Sequence, residues 1–159
     1  PGIVGFGKAC EICMLETSEE LKRLGFLRNK LEQALLQLEE TFVNGSREHR
    51  LPNVSNISFQ YVEAEALMLG FNKKIAVSSG SACTSASPKP SHVLKALGLD
   101  DATARSAIRF SLGRFTTEEE INYTIETVTQ AVKELRKTST WWKIHKQKEV
   151  GREHTKHFS

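Results

Sequence analysis

Between Thr117 and Lys137 the apolar residues Ile121, Ile125, Val128, Val132 and Leu135 return every three or four positions. That period brings them onto one face of an α-helix. Thr117 is followed three residues later by Glu120, a pair in which the hydroxyl accepts from a free backbone N–H and the carboxylate accepts from the cap residue's own N–H. The spacing predicts a helix over 117–137, and its apolar face requires a second layer to cover it.

The rest of the chain supplies that layer. Val54, Ile57, Phe59 and Tyr61 form a partly alternating, β-rich run after the turn chemistry of Asn44-Gly45 and Leu51-Pro52-Asn53, which predicts a strand at 54–60. Ile108, Phe110 and Leu112 alternate as another strand, and Ile75, Ala76 and Val77 form a brief buried one ending at Ser78. Between them, 63–69 is a short helix, and Ser91 caps a helix carrying Val93, Leu94 and Leu97, with Gly98 at its left-handed end. From Ile3 to Leu38 helical spacing predicts two helices or one kinked helix, the second starting at a Thr17/Glu20 capping box. Interleaved helices and strands with short turns predict an α+β chain with a small mixed or antiparallel sheet packed against helices. We divide it into a domain at 1–137 and a basic tail at 138–159.

Composition narrows the class. The chain has 159 residues, 39% hydrophobic and 26% charged, enough for one globular domain without staples. Its 22 Lys and Arg are scattered among 19 Asp and Glu, so no basic stripe marks a nucleic-acid footprint. No apolar run approaches the ~20 residues of a bilayer crossing, and neither a secretory signal nor a transit peptide opens the chain. Three cysteines, Cys10, Cys13 and Cys83, are an odd number without a disulfide framework, which points to a reducing compartment with free thiols inside the cell. Pro1 is not an initiator Met, and we expect a piece cut from a longer protein.

The run Ser78-Ser79-Gly80-Ser81-Ala82-Cys83-Thr84-Ser85-Ala86-Ser87-Pro88 has almost nothing to bury and predicts a mobile loop. Cys83 is its only strong nucleophile. A thiolate attacks where a thiol does not, so a reactive Cys83 needs a lowered pKa or a nearby base. Taken alone, such a residue is more often an unremarkable loop cysteine. Cys10-Glu11-Ile12-Cys13 mimics a metal or redox pair, yet no second pair follows, and helix packing is the expected role. Gly2, Gly5 and Gly7 do not fit a dinucleotide fingerprint, and no metal is assigned to His154 and His157.

The segment Ser78 to Ala86 resembles the active-site loop of the group I cysteine desulfurases, the iron–sulfur cluster assembly type. The similarity continues through Pro90-Ser91, Val93-Leu94, Ala96 to Leu99 and Ile108 to Glu120, and includes Pro52-Asn53, Asn56 and Ser58-Phe59. It spans about Gly2 to Gln147. The resemblance implies the C-terminal small domain of a fold-type I pyridoxal-phosphate enzyme, with the first helix against a cofactor-binding domain. In that family the enzyme converts L-cysteine to L-alanine, and the loop thiolate, here Cys83, takes the sulfur as a persulfide. The cofactor supplies the electron withdrawal that makes the substrate C–S bond cleavable. Arg109 matches the arginine that holds the substrate carboxylate, a task suited to a guanidinium fork. Arg114 also lies in the matched motif, and a structural pairing is the expected role.

The same resemblance implies that the Schiff-base lysine, the pyridinium-binding aspartate and the ring-stacking histidine belong to the domain upstream of Pro1. No pyridoxal phosphate is therefore expected on these residues alone. Implied partners are L-cysteine, an iron–sulfur scaffold protein and other sulfur acceptors, and a second subunit in the whole enzyme. Trp141 and Trp142 either pack on the domain or anchor a partner, whereas Val150 to Ser159 departs from the family pattern. Two other classes compete: a stand-alone binding module for a sulfur-acceptor protein, and a thiol redox sensor built on Cys83.

Overall fold

The computed structural model describes residues 1–71, 73–79 and 90–156. In chain order the elements are α1 (Gly2–Leu35), β1 (Thr41–Val43), β2 (Val54–Phe59), α2 (Ala64–Phe71), β3 (Ser78–Ser79), α3 (His92–Ala96), α4 (Asp101–Arg105), β4 (Ala107–Ser111), α5 (Glu118–Thr138) and α6 (Thr140–Lys156). The strands form one sheet in the order β1-β2-β4-β3, and every neighbouring pair is antiparallel. This is the α+β architecture that the alternating periods predict.

Strand pleating divides the sheet into two faces. Ile57 and Phe59 of β2 and Ile108 and Phe110 of β4 point to one face and are almost fully buried. Against them pack Leu24, Leu27, Leu31 and Leu35 of α1, Leu67 and Phe71 of α2, and Ile121, Val128 and Val132 of α5. The helical stripe over 117–137 is thus the inner face of α5. Its capping box is complete: Thr117 Oγ1 accepts from the Glu120 N–H at 3.2 Å and the Glu120 carboxylate accepts from the Thr117 N–H at 3.0 Å. On the other face a smaller cluster of Leu94, Ala104 and Ala107 lets α3 and α4 cover only one end of β4.

The structure corrects several expectations. The first helix is continuous from Gly2 to Leu35, with no break at Thr17. The Thr17 hydroxyl donates to the Cys13 carbonyl one turn earlier, the use a threonine finds inside a helix rather than at its start. Cys10 and Cys13 are exposed on this helix and do not pack. The strand expected at 75–77 is displaced to Ser78–Ser79, because it is these residues that reach the hydrogen-bonding register of β4. The segment expected as a basic tail is helical over Thr140–Lys156. Two elements, β1 and α4, are too short to carry a readable period. The second is capped by Asp100, whose carboxylate accepts from the Thr103 N–H at 2.7 Å.

One buried polar network fixes the segment before β2 to α1. Both oxygens of Glu32 meet the Arg50 guanidinium, at 2.5 and 2.9 Å, while Arg28 donates to the Leu51 carbonyl at 3.0 Å. Burial pushes the Glu32 carboxyl up, but the hydrogen bonds from Arg50 and the charges of Arg50 and Arg28 outweigh it and hold it below the usual carboxylate range. Among the described residues no helix is long and apolar enough to cross a membrane.

Candidate functional site

Arg109 sits at the centre of β4, on the face opposite the main core, and its side chain is exposed. Ile108 and Phe110 on either side are buried, so the pleat alone turns the guanidinium outward. Its cross-strand partners are Asn56 on β2 and Ser78 on β3. The row Asn56, Arg109, Ser78 therefore crosses three strands, and among the described residues no carboxylate forms an ion pair with Arg109. Beyond it, Asn44 Nδ2 donates to Asn56 Oδ1 at 2.6 Å and to Ser58 Oγ at 2.8 Å. This polar row is suited to a small anionic ligand. Asn56 belongs to the matched motif, but sequence reasoning gives it no role. Its only signal is an amide side chain in a strand whose other polar residues are the serines Ser55 and Ser58.

The sequence-predicted nucleophile, Cys83, lies outside the described residues, as does the rest of its motif from Gly80 to Ala86. The motif's first two residues, Ser78 and Ser79, are β3 itself, in register with Arg109 and Ile108. The strand that leads into the Cys83 run thus lies beside the strand that carries Arg109. Arg114 takes the structural role expected of it: its guanidinium pairs with Glu16 and reaches Glu20 at 3.9 Å. In return Arg23 of α1 donates to the carbonyls of Arg114 and Thr116, each at 2.6 Å. These contacts hold the β4–α5 connection against α1.

A cleft of about 570 Å³ opens between residues 74–77, the end of β4 and the start of α5. Its described charges are one lysine, Lys74, against two carboxylates, Glu119 and Glu120. Glu120 is already committed to the helix cap. A phosphate-bearing aldehyde cofactor needs a lysine for its carbonyl and separate donors for its phosphate dianion, and this acidic lining does not fit pyridoxal phosphate. No step is assigned to that group in the cleft.

The model of the aminotransferase class-V family matches residues 1–124. The chain belongs to that family. Over 145 residues, 91% of its length, it is 58% identical to the cysteine desulfurase IscS of Pasteurella multocida. Over the same length it is 56% identical to that of Proteus mirabilis and 54% identical to that of Escherichia coli. The chain spans 36% of the length of these relatives. Among solved structures, a NifS-like protein from Rickettsia africae superposes with a TM-score of 0.71 at 31% identity, covering 81% of this chain and 33% of that one. A second NifS-like protein gives 0.71 at 34% identity, with 84% and 33% covered. For this class-V chain the antiparallel sheet with its flanking helices is accordingly a fold shared with those proteins.

Proposed function

We propose that the chain is the C-terminal small domain of a pyridoxal-phosphate-dependent cysteine desulfurase, with Cys83 as the sulfur-accepting nucleophile and Arg109 as the substrate-carboxylate ligand. The observation that carries this reading is the 58% identity to a cysteine desulfurase over 91% of the chain, with the Cys83 motif intact. The register of β3 on β4 supports it. Cys83 is four positions beyond Ser79, a tether that spans at most about 14 Å when extended. A substrate carboxylate held at Arg109 would lie within the longest reach that this tether allows the thiol.

In the overall conversion, the sulfur of L-cysteine leaves its carbon as a new S–S bond forms to Cys83, and that carbon takes a proton. The products are L-alanine and one persulfide. Cys83 must attack as thiolate, and the Arg109 fork orients the amino acid by two parallel hydrogen bonds. The persulfide then passes to an iron–sulfur scaffold or another sulfur acceptor. The cofactor belongs to the part of the enzyme outside these residues. Such an enzyme would act as a homodimer in the cytoplasm or mitochondrial matrix.

The test is mass spectrometry of the Cys83 peptide after turnover by a cofactor-loaded enzyme containing this chain. One added sulfur is expected on wild type, with none, and no sustained alanine formation, in Cys83→Ser. Undiminished alanine and sulfide from Cys83→Ser would remove the residue from the reaction.

A further inference from the structure

Away from Arg109, α6 meets the turns that precede β1 and follow β2, and three potential ligand side chains converge there. His145 Nε2 lies 3.6 Å from Glu40 Oε1 and 3.5 Å from Glu149 Oε1. The three donor atoms fall within 4.8 Å of one another. Nε2 is buried from solvent and makes no hydrogen bond among the described residues. Such an orphaned nitrogen carries a cost unless something occupies the space before it.

The other ring nitrogen is engaged. His145 Nδ1 is 3.0 Å from the Tyr61 hydroxyl, and the ring stacks on Tyr61 at 4.7 Å between centroids, with Trp142 5.6 Å away. A neutral phenol oxygen can accept from Nδ1–H, which leaves the Nε2 lone pair directed at the two carboxylates. This is the outer-shell arrangement by which a ligating histidine is oriented. Glu40 and Tyr61 are also the two described non-glycine residues with positive φ, at 49° and 66°, and both contribute side chains to this cluster.

We propose that Glu40, His145 and Glu149 form a zinc-type divalent cation site that clamps α6 to the ends of β1 and β2. A tetrahedral ion with arms of about 2.1 Å sets its donor atoms roughly 3.4 Å apart. The separations of 3.5 and 3.6 Å match that edge, whereas they exceed normal N–H···O lengths. One imidazole and two carboxylates suit zinc better than calcium or magnesium, which prefer all-oxygen shells, and leave a fourth position for water. The neighbouring cations are already engaged: Lys146 is 2.9 Å from both Glu39 and Glu149 Oε2, and Arg136 donates to the Gln60 and Glu40 carbonyls while lying over Trp142. The site uses neither Cys83 nor Arg109, so its fate is separate from that of the desulfurase reading.

Zinc alone is the probe, titrated into the protein carrying Cys10→Ser, Cys13→Ser and Cys83→Ser so that no thiol competes. One tightly bound equivalent is expected, lost in His145→Gln and in Glu149→Gln, weakened at least about tenfold in Tyr61→Phe, and not displaced by calcium. Trp142 fluorescence should change in step. Circular dichroism checks each fold; should His145→Gln unfold, Glu149→Gln, with its side chain 45% exposed, supplies the same comparison. No uptake in the thiol-free protein, or equal uptake after loss of His145, overturns the proposal.

Discussion

At the scale of single residues, Glu32 and Arg109 show two fates of charge in one small domain. Glu32 is 5% exposed and bidentate to Arg50, so Glu32→Gln leaves a guanidinium short of its partner and is expected to cost about 3 kcal/mol. Because the folded state holds its carboxyl below the ordinary value, its contribution is complete above that ordinary value and is lost as pH falls through the lowered one. Urea melts should therefore show wild-type stability falling on the acid side of the ordinary carboxylate range, with a flatter profile in Glu32→Gln. Arg109, exposed and flanked by Asn56 and Ser78, should be nearly neutral for stability. Arg109→Lys removes the fork and should lower kcat/KM for cysteine in the whole enzyme about 10- to 100-fold. Arg109 and Cys83 are proposed from two matched sequence segments, Ile108 to Glu120 and Ser78 to Ala86. The Glu32 pair is not legible in the sequence, since its partner comes 18 positions later through a turn that has no period to read.

At the scale of elements, local chemistry decides where it has no rival. Thr117 and Glu120 start α5 as their spacing predicts, and Thr117→Ala should cost about 1 kcal/mol in chemical denaturation while the sheet persists. The same type of pair at Thr17 and Glu20 starts nothing, since helical residues precede it without interruption and Thr17 turns back to Cys13. Apolarity places β3 a few residues early, at Ile75 to Val77. Ile75 and Val77 are half-buried beside the core, while backbone pairing with β4 falls to Ser78 and Ser79. In α6 the helix exceeds what the polar sequence implies: Trp142 packs against Arg136, with the guanidinium carbon 4.5 Å from the ring centroid, and tertiary contact outweighs composition. The Glu40, His145 and Glu149 cluster escapes sequence reading for a related reason. Only the four-residue step from His145 to Glu149 is local, and Glu40 arrives from a distant part of the chain.

At the scale of the whole molecule, the alternation of helical and strand periods is enough to give an α+β layer structure with a mixed or antiparallel sheet, while strand direction and order require coordinates. The first half of α1 leaves Ile3 90% and Met14 87% exposed, apolar surface that the remainder of a class-V enzyme would cover. Grafting tests the desulfurase assignment most directly. The 145-residue matched segment of this chain would replace its counterpart in the Pasteurella multocida cysteine desulfurase, and alanine and protein persulfide would be measured after adding pyridoxal phosphate and L-cysteine. Alanine should form with the persulfide on Cys83, and both should vanish in Cys83→Ser; a folded, cofactor-loaded chimera that forms no alanine, or one indifferent to Cys83→Ser, would contradict the assignment.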